Sequence, residues 1–177
     1  RLEKRLSSIY KVEGVDNNKT ALHMCEEKKL KVKKVDLEKE VLPYEDNSFD
    51  NVIGNHVLEH LDNMEGVINE ARRVAKRRVI FVVPLGERQD VTHKQMFKNQ
   101  LDFRKQVISK LDISDKKVKL YKIPAGDNTL VLILKAENKQ KAKYKKSMLK
   151  PFGKYTPPKP TMANITEAFK FEDISDW

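Results

Sequence analysis

Cysteine is nearly absent: Cys25 is the only one in 177 residues. An internal disulfide is therefore excluded, and with it a disulfide-stapled secreted scaffold. Long apolar runs are missing too; none approaches the roughly 20 residues that a membrane-spanning helix needs. The residues given open with no signal-peptide pattern, so the expected location is cytoplasmic. Glycine is scarce, with six residues (14, 54, 66, 86, 126 and 153) never closer than twelve apart, so no glycine-rich loop for close backbone approach to a phosphate is encoded here. Acidic residues vanish from one stretch: residues 138–160 hold eight lysines and no acid. Of the net charge of +10, that stretch carries eight units and leaves +2 for the rest.

What is present suits one ordinary domain with a tail. Hydrophobic residues make up 39% and charged residues 35%, enough of the former to build a core. Residues 2–8 read as the end of a helix, with Leu2 and Leu6 four apart. Residues 10–15 alternate like a short strand and are followed by Asp16. Residues 17–29 suit a helix with Ala21, Leu22 and Cys25 on one face, and residues 32–35 a strand followed by Asp36 and Leu37. After Leu42-Pro43 and a turn at 45–48 comes a strand at 49–54. A helix is expected from Asn55 onward, and a second helical stretch carries Val67, Ile68, Ala71 and Val74. Residues 78–83 form an apolar, β-branched run that suits a buried strand. A helix at 97–111 precedes strands at 118–123 and 130–135, joined by a turn containing Ala125, Gly126, Asp127 and Asn128. Strands alternating with helices and closing on a hairpin predict an α/β fold, mostly parallel with an antiparallel strand near one edge. The expected division is a domain over 1–137 and a basic, proline-containing tail over 138–177, with Phe169, Phe171, Ile174 and Trp177 near its end.

Residues 55–60 read NHVLEH, in which His56, Glu59 and His60 spell the H-x-x-E-H zinc signature of a peptidase class. On a helix, His56 and His60 would share a face one turn apart. A zinc site needs a third ligand, and nothing in the pattern marks Glu70 or Glu87 as one. No metal is therefore expected.

The strand ends offer a different chemistry. In open α/β sheets, ligands lie beyond the carboxyl ends of the strands. The residues found there are Asp16, Asp36, and Asn55 with His56. An acid at such a strand end accepts hydrogen bonds from ribose hydroxyls, which suits Asp16. Asp36 suits an exocyclic adenine amine, with the Leu37 N–H donating to a ring nitrogen. Each Asp alone reads equally as a helix or loop cap.

Four segments carry a family resemblance: GVD at 14–16, VDLEKEVLPYEDNSFDNVIGNHVLEHL at 35–61, EARRVAKR at 70–77 and RVIFVVP at 78–84. Together they resemble the class I S-adenosylmethionine-dependent methyltransferases, over roughly residues 1–136. The resemblance implies a Rossmann-like seven-stranded sheet with a reversed last strand. It implies S-adenosylmethionine as cofactor, with Asp16 and Asn17 at the ribose, Asp36 and Leu37 at adenine, and Asn55 and His56 beside the methionine portion. Glu59 and His60 become structural residues near that pocket. The family's first strand and glycine loop are expected upstream of Leu2, so that strand is expected to be missing from the residues given. Lys76-Arg77-Arg78 replaces the family's usual Pro-Gly-Gly-like turn.

Methyl transfer needs an acceptor aligned with the sulfonium methyl and sometimes a base. His93, after the fifth family strand, is the candidate catalytic base, with Asp90 as its possible partner. His56 is a second candidate, Tyr44 a possible cover for adenine or substrate, and His23 an ordinary helix residue. The acceptor is not readable. The lysine-rich tail suits an anionic partner, either nucleic acid or a membrane surface. The alternative reading is a catalytically inactive, methyltransferase-like scaffold that binds such a partner.

Overall fold

The computed structural model describes residues 10–86, 91–123 and 128–136. The readings at 2–8, at 125–127 and over the tail, and the candidates Glu87 and Asp90, lie outside the described residues. Six strands and three α-helices follow in chain order among the described residues: β1 (Glu13–Asp16), α1 (Lys19–Glu27), β2 (Lys31–Lys34), β3 (Phe49–Asn55), α2 (Met64–Val74), β4 (Ala75–Pro84), α3 (Gln100–Gln106), β5 (Val118–Ile123) and β6 (Thr129–Lys135). β1 and β2 pair in parallel as one ribbon, while β3-β4-β6-β5 form a four-stranded sheet. In that sheet β3 and β4 are parallel, and β6 runs antiparallel to both β4 and β5. The α/β class and the antiparallel hairpin are as the sequence predicts. Among the described residues no strand joins β1 to β3, so the sheet is divided there.

The core follows from the period of two along a strand. Val79, Phe81 and Val83 of β4 and Leu130, Leu132 and Leu134 of β6 enter one apolar cluster with Ile68 and Ala71 of α2. The alternate residues Ile80, Val82, Val131 and Ile133 form a second cluster on the opposite face. Asn63 caps α2 by accepting from the Gly66 N–H, and Arg72 and Arg73 in its last turn complement the helix dipole. A smaller cluster of Val35, Leu42, Phe49 and Val74 joins the ribbon side to α2.

Three expectations need correction. No helix begins at Asn55, which is the last residue of β3. His56 still donates its N–H to the Val82 carbonyl (2.9 Å), then turns the chain with φ of 54°, and only a 3₁₀ turn follows at Leu58–His60. Where the resemblance places a turn at Lys76-Arg77-Arg78, α2 stops at Val74 and these residues are already strand, so α2 runs into β4 with no turn between. The helix over 97–111 shortens to α3 and a 3₁₀ turn at Ile108–Lys110, because Asn99 caps α3 through the Asp102 N–H. Phe97 lies before that cap and is buried in the core.

Gly54 lies on β3 against the Phe81 ring, and a Cβ built there would come within 2.3 Å of a ring carbon. Phe81 is buried in the main cluster and has little room to retreat. Gly54→Ala is therefore expected to cost about 1–3 kcal/mol through overpacking, read as a shift in the urea midpoint.

Candidate functional site

Asp16 ends β1 and is exposed. Its Oδ1 accepts from the Asn18 N–H (2.8 Å), and the Asn18 side chain caps α1 through Thr20 and Ala21 (2.9 and 3.1 Å). The capping role is thus partly real, but it engages Oδ1 and orients the carboxylate. Asn17 is exposed beside it. The Val35 N–H donates to the Asp16 carbonyl (2.9 Å), which ties the end of β1 to the residues after β2.

Asp36 is half-buried. Its Oδ1 accepts from the Glu38 N–H (3.1 Å) and its Oδ2 pairs with Lys39 (3.0 Å). The Lys39 hydrogen bond, then that backbone N–H, hold the Asp36 carboxyl below the usual carboxylate range. Leu37 packs between the main cluster and the smaller one.

Glu38, which carries no motif, is the link that sequence reasoning misses. Its two oxygens accept the N–H groups of Asp62 (2.6 Å) and Asn63 (3.2 Å). Lys94 reaches Glu38 at 3.4 Å and forms a short ion pair with Asp62. That Asp62 contact, more than the one to Glu38, raises the pKa of Lys94. The segments that follow β2, β3 and β4 are therefore stitched at one edge. The pairings span 24 to 56 residues in sequence, beyond any local pattern.

Asn55 and His56 are exposed at the end of β3. His56 Nδ1 lies 3.1 Å from Glu59 Oε1. Glu59 is wholly buried, and its carbonyl accepts from both the Lys94 and Gln95 N–H groups (2.8 and 2.9 Å). This pins the segment carrying His93 against the 3₁₀ turn. The rings of His60 and His93 meet edge to face at 4.8 Å. The helix-face pairing of His56 with His60 that the zinc signature demands does not form, because His56 precedes the turn in a left-handed conformation.

The other candidates have structural partners. Glu70, weighed as a third zinc ligand, holds Arg73 at 2.9 Å and accepts the Leu42 N–H at 3.1 Å. Tyr44 packs edge to face on Phe49 (4.7 Å) with the Lys33 ammonium 4.1 Å over its ring. His23 is exposed on α1 beside Glu27. Among the described residues no helix is long and apolar enough to cross a membrane.

A family model described as "Methyltransferase domain" matches residues 1–83. Among solved structures, the chain is similar to one from the complex between the Haloferax volcanii Trm112 methyltransferase activator and the putative methyltransferase: TM-score 0.57, 12% identity, 77% of each chain covered. It is similar to a SAM-dependent methyltransferase from Archaeoglobus fulgidus, with TM-score 0.52 and 20% identity over 70% of this chain and 75% of that one. It is also similar to magnesium protoporphyrin IX methyltransferase from Synechocystis with bound SAH, with TM-score 0.50 and 15% identity over 76% of this chain and 68% of that one. No curated protein matches the sequence.

Proposed function

From the premise of a chain with the class I methyltransferase fold, whose residues 1–83 match the methyltransferase-domain family, we propose that it transfers a methyl group from S-adenosylmethionine to an acceptor at the carboxyl edge of its sheet. The observation that most supports this reading is the Glu38–Asp62–Lys94 stitch, which gathers the segments after β2, β3 and β4 at one edge.

The residues fit an adenosyl group. Asp16 offers an exposed, oriented carboxylate for the ribose hydroxyls, with Asn17 beside it. A carboxylate has about four lone-pair sites, so Asp36 can accept an adenine amine while keeping Glu38 and Lys39, with Leu37 lining the ring. Asn55 and His56 take the methionine portion. When bound, the cofactor supplies an electrophilic methyl on a cationic sulfur. The work of the chain is to align the acceptor with that methyl and exclude water. His93, on the segment pinned to Glu59, is the group we assign to accept a proton from the acceptor. The lysines of residues 138–160 draw an anionic acceptor or partner towards the domain of residues 1–137.

Calorimetric titration of S-adenosylhomocysteine tests the reading. Binding in the micromolar range is expected, weakened about 10- to 100-fold in Asp16→Ala, the worth of a charge-assisted hydrogen bond. A folded wild type that gives no heat sinks the proposal and leaves the scaffold reading in its place.

A further inference from the structure

We propose that Glu59, His60 and His93 form a binding site for a first-row divalent transition ion of the zinc class. One ligand atom from each lies within 4.8 Å of the others. Tetrahedral zinc with bonds near 2 Å holds its ligands roughly 3–3.5 Å apart, so the three groups have to draw closer together to grip an ion.

Glu59 carries the argument. It is 0% exposed, and both carboxylate oxygens are buried with no hydrogen-bond partner among the described residues. His56 Nδ1 comes within ion-pair distance of Oε1, at 3.1 Å, but without hydrogen-bond geometry. A desolvated carboxylate so poorly met is unfavourable unless a cation joins it.

His60 has the kind of outer contact that a metal-binding imidazole uses. Its Nδ1 lies 3.2 Å from the Thr92 carbonyl oxygen and 3.3 Å from Thr92 Oγ1. A proton on Nδ1 satisfies that carbonyl and leaves Nε2 with its lone pair, the usual outer-shell device for a ligating histidine. The third ligand is held in place by backbone. The two N–H groups that follow His93 bond the Glu59 carbonyl, and Gln95 Nε2 donates to the Leu61 carbonyl at 3.0 Å. Both imidazoles are partly exposed, so an ion can enter from solvent.

Two nitrogens and one carboxylate suit zinc, iron, cobalt or nickel; magnesium and calcium favour all-oxygen sets. The ligand set is not that of the H-x-x-E-H signature: His93 from the distant segment takes the place of His56. The proton-accepting role assigned to His93 above belongs to the metal-free chain; with an ion bound, His93 serves as a ligand instead.

Titrating chelator-treated full chain with zinc chloride by calorimetry, and with cobalt chloride by visible absorption, tests the site. One equivalent of zinc and the cobalt bands of nitrogen–oxygen ligation are expected. His93→Ala, at a partly exposed position that keeps the fold, and Glu59→Gln should each weaken zinc binding about tenfold or more. No stoichiometric uptake by the wild type overturns the proposal, and so does unchanged affinity in folded His93→Ala. S-adenosylhomocysteine binding measured without metal reports on the methyltransferase reading separately.

Discussion

Replacing Arg73 by alanine is expected to remove about 3 kcal/mol of stability, towards the lower end of the cost of breaking a buried ion pair from one side, because Arg73 is largely rather than fully buried. The Arg73 side chain is 16% exposed and Glu70 11%. Its guanidinium donates to Glu70 through two nitrogens (both 2.9 Å), to Asp46 (2.9 Å), and to the carbonyls of Tyr44 (2.8 Å) and Leu42 (3.0 Å). Burial pulls its pKa down, but the hydrogen bonds to Glu70 and Asp46 outweigh this and raise it. The Asn47 N–H bonds the Arg73 carbonyl (2.9 Å), so a single residue fastens the loop after β2 to α2. Without it, Glu70 remains buried with the Leu42 N–H alone. Urea unfolding should show the loss. Adding Glu70→Gln, which keeps an acceptor for Leu42 but no charge, should recover part of it. If Arg73→Ala unfolds within about 1 kcal/mol of wild type, the network is peripheral, as most surface pairs are.

Phe103→Ala is expected to cost about 3–5 kcal/mol, the range for deleting a buried aromatic ring. Phe103 is fully buried and is the one buried residue of α3. It meets Phe97 edge to face at 4.9 Å, and Phe97 is 1% exposed. The Phe97 carbonyl accepts the Gly86 N–H (2.9 Å), anchoring the segment between His93 and α3 to the end of β4. Truncation therefore leaves a cavity and frees α3 together. Thermal unfolding measures the first, and hydrogen exchange along α3 the second. Phe103→Leu, which refills much of the volume, should retain most of the stability; equal losses in the two variants would contradict the packing account.

Period and composition made much of this architecture legible. The strands β3, β5 and β6 stand within a residue of their predicted limits because alternating β-branched and large apolar residues mark them. β4 was legible only from Arg78, since Lys76 and Arg77 at its start are polar and partly or fully exposed, which hid the strand's beginning. NHVLEH has helical spacing, yet tertiary pairing decides otherwise: the Val82 carbonyl extends the ladder to His56, which itself takes the left-handed conformation and turns the chain. The acids at the strand ends could be named from sequence because position along the chain defines them. Glu38 and Lys94 could not, since their value lies in contacts across 24 to 56 residues. The closeness of His93 to Glu59 and His60 depends on the same kind of contact.

β1, α1 and β2 contain no buried residue, whereas β6 buries five of its seven in succession. A ribbon and helix with so little apolar area to lose open at a lower free energy than the four-stranded sheet. Asp16 rides on that looser unit. A ligand gripped there has to arrest its motion, and part of the interaction free energy is spent on ordering. In the proposed reading, with the cofactor's ribose at Asp16, affinity at this edge depends on rigidity as well as on contacts, and a substitution that stiffens α1 is expected to tighten binding without touching the ligand.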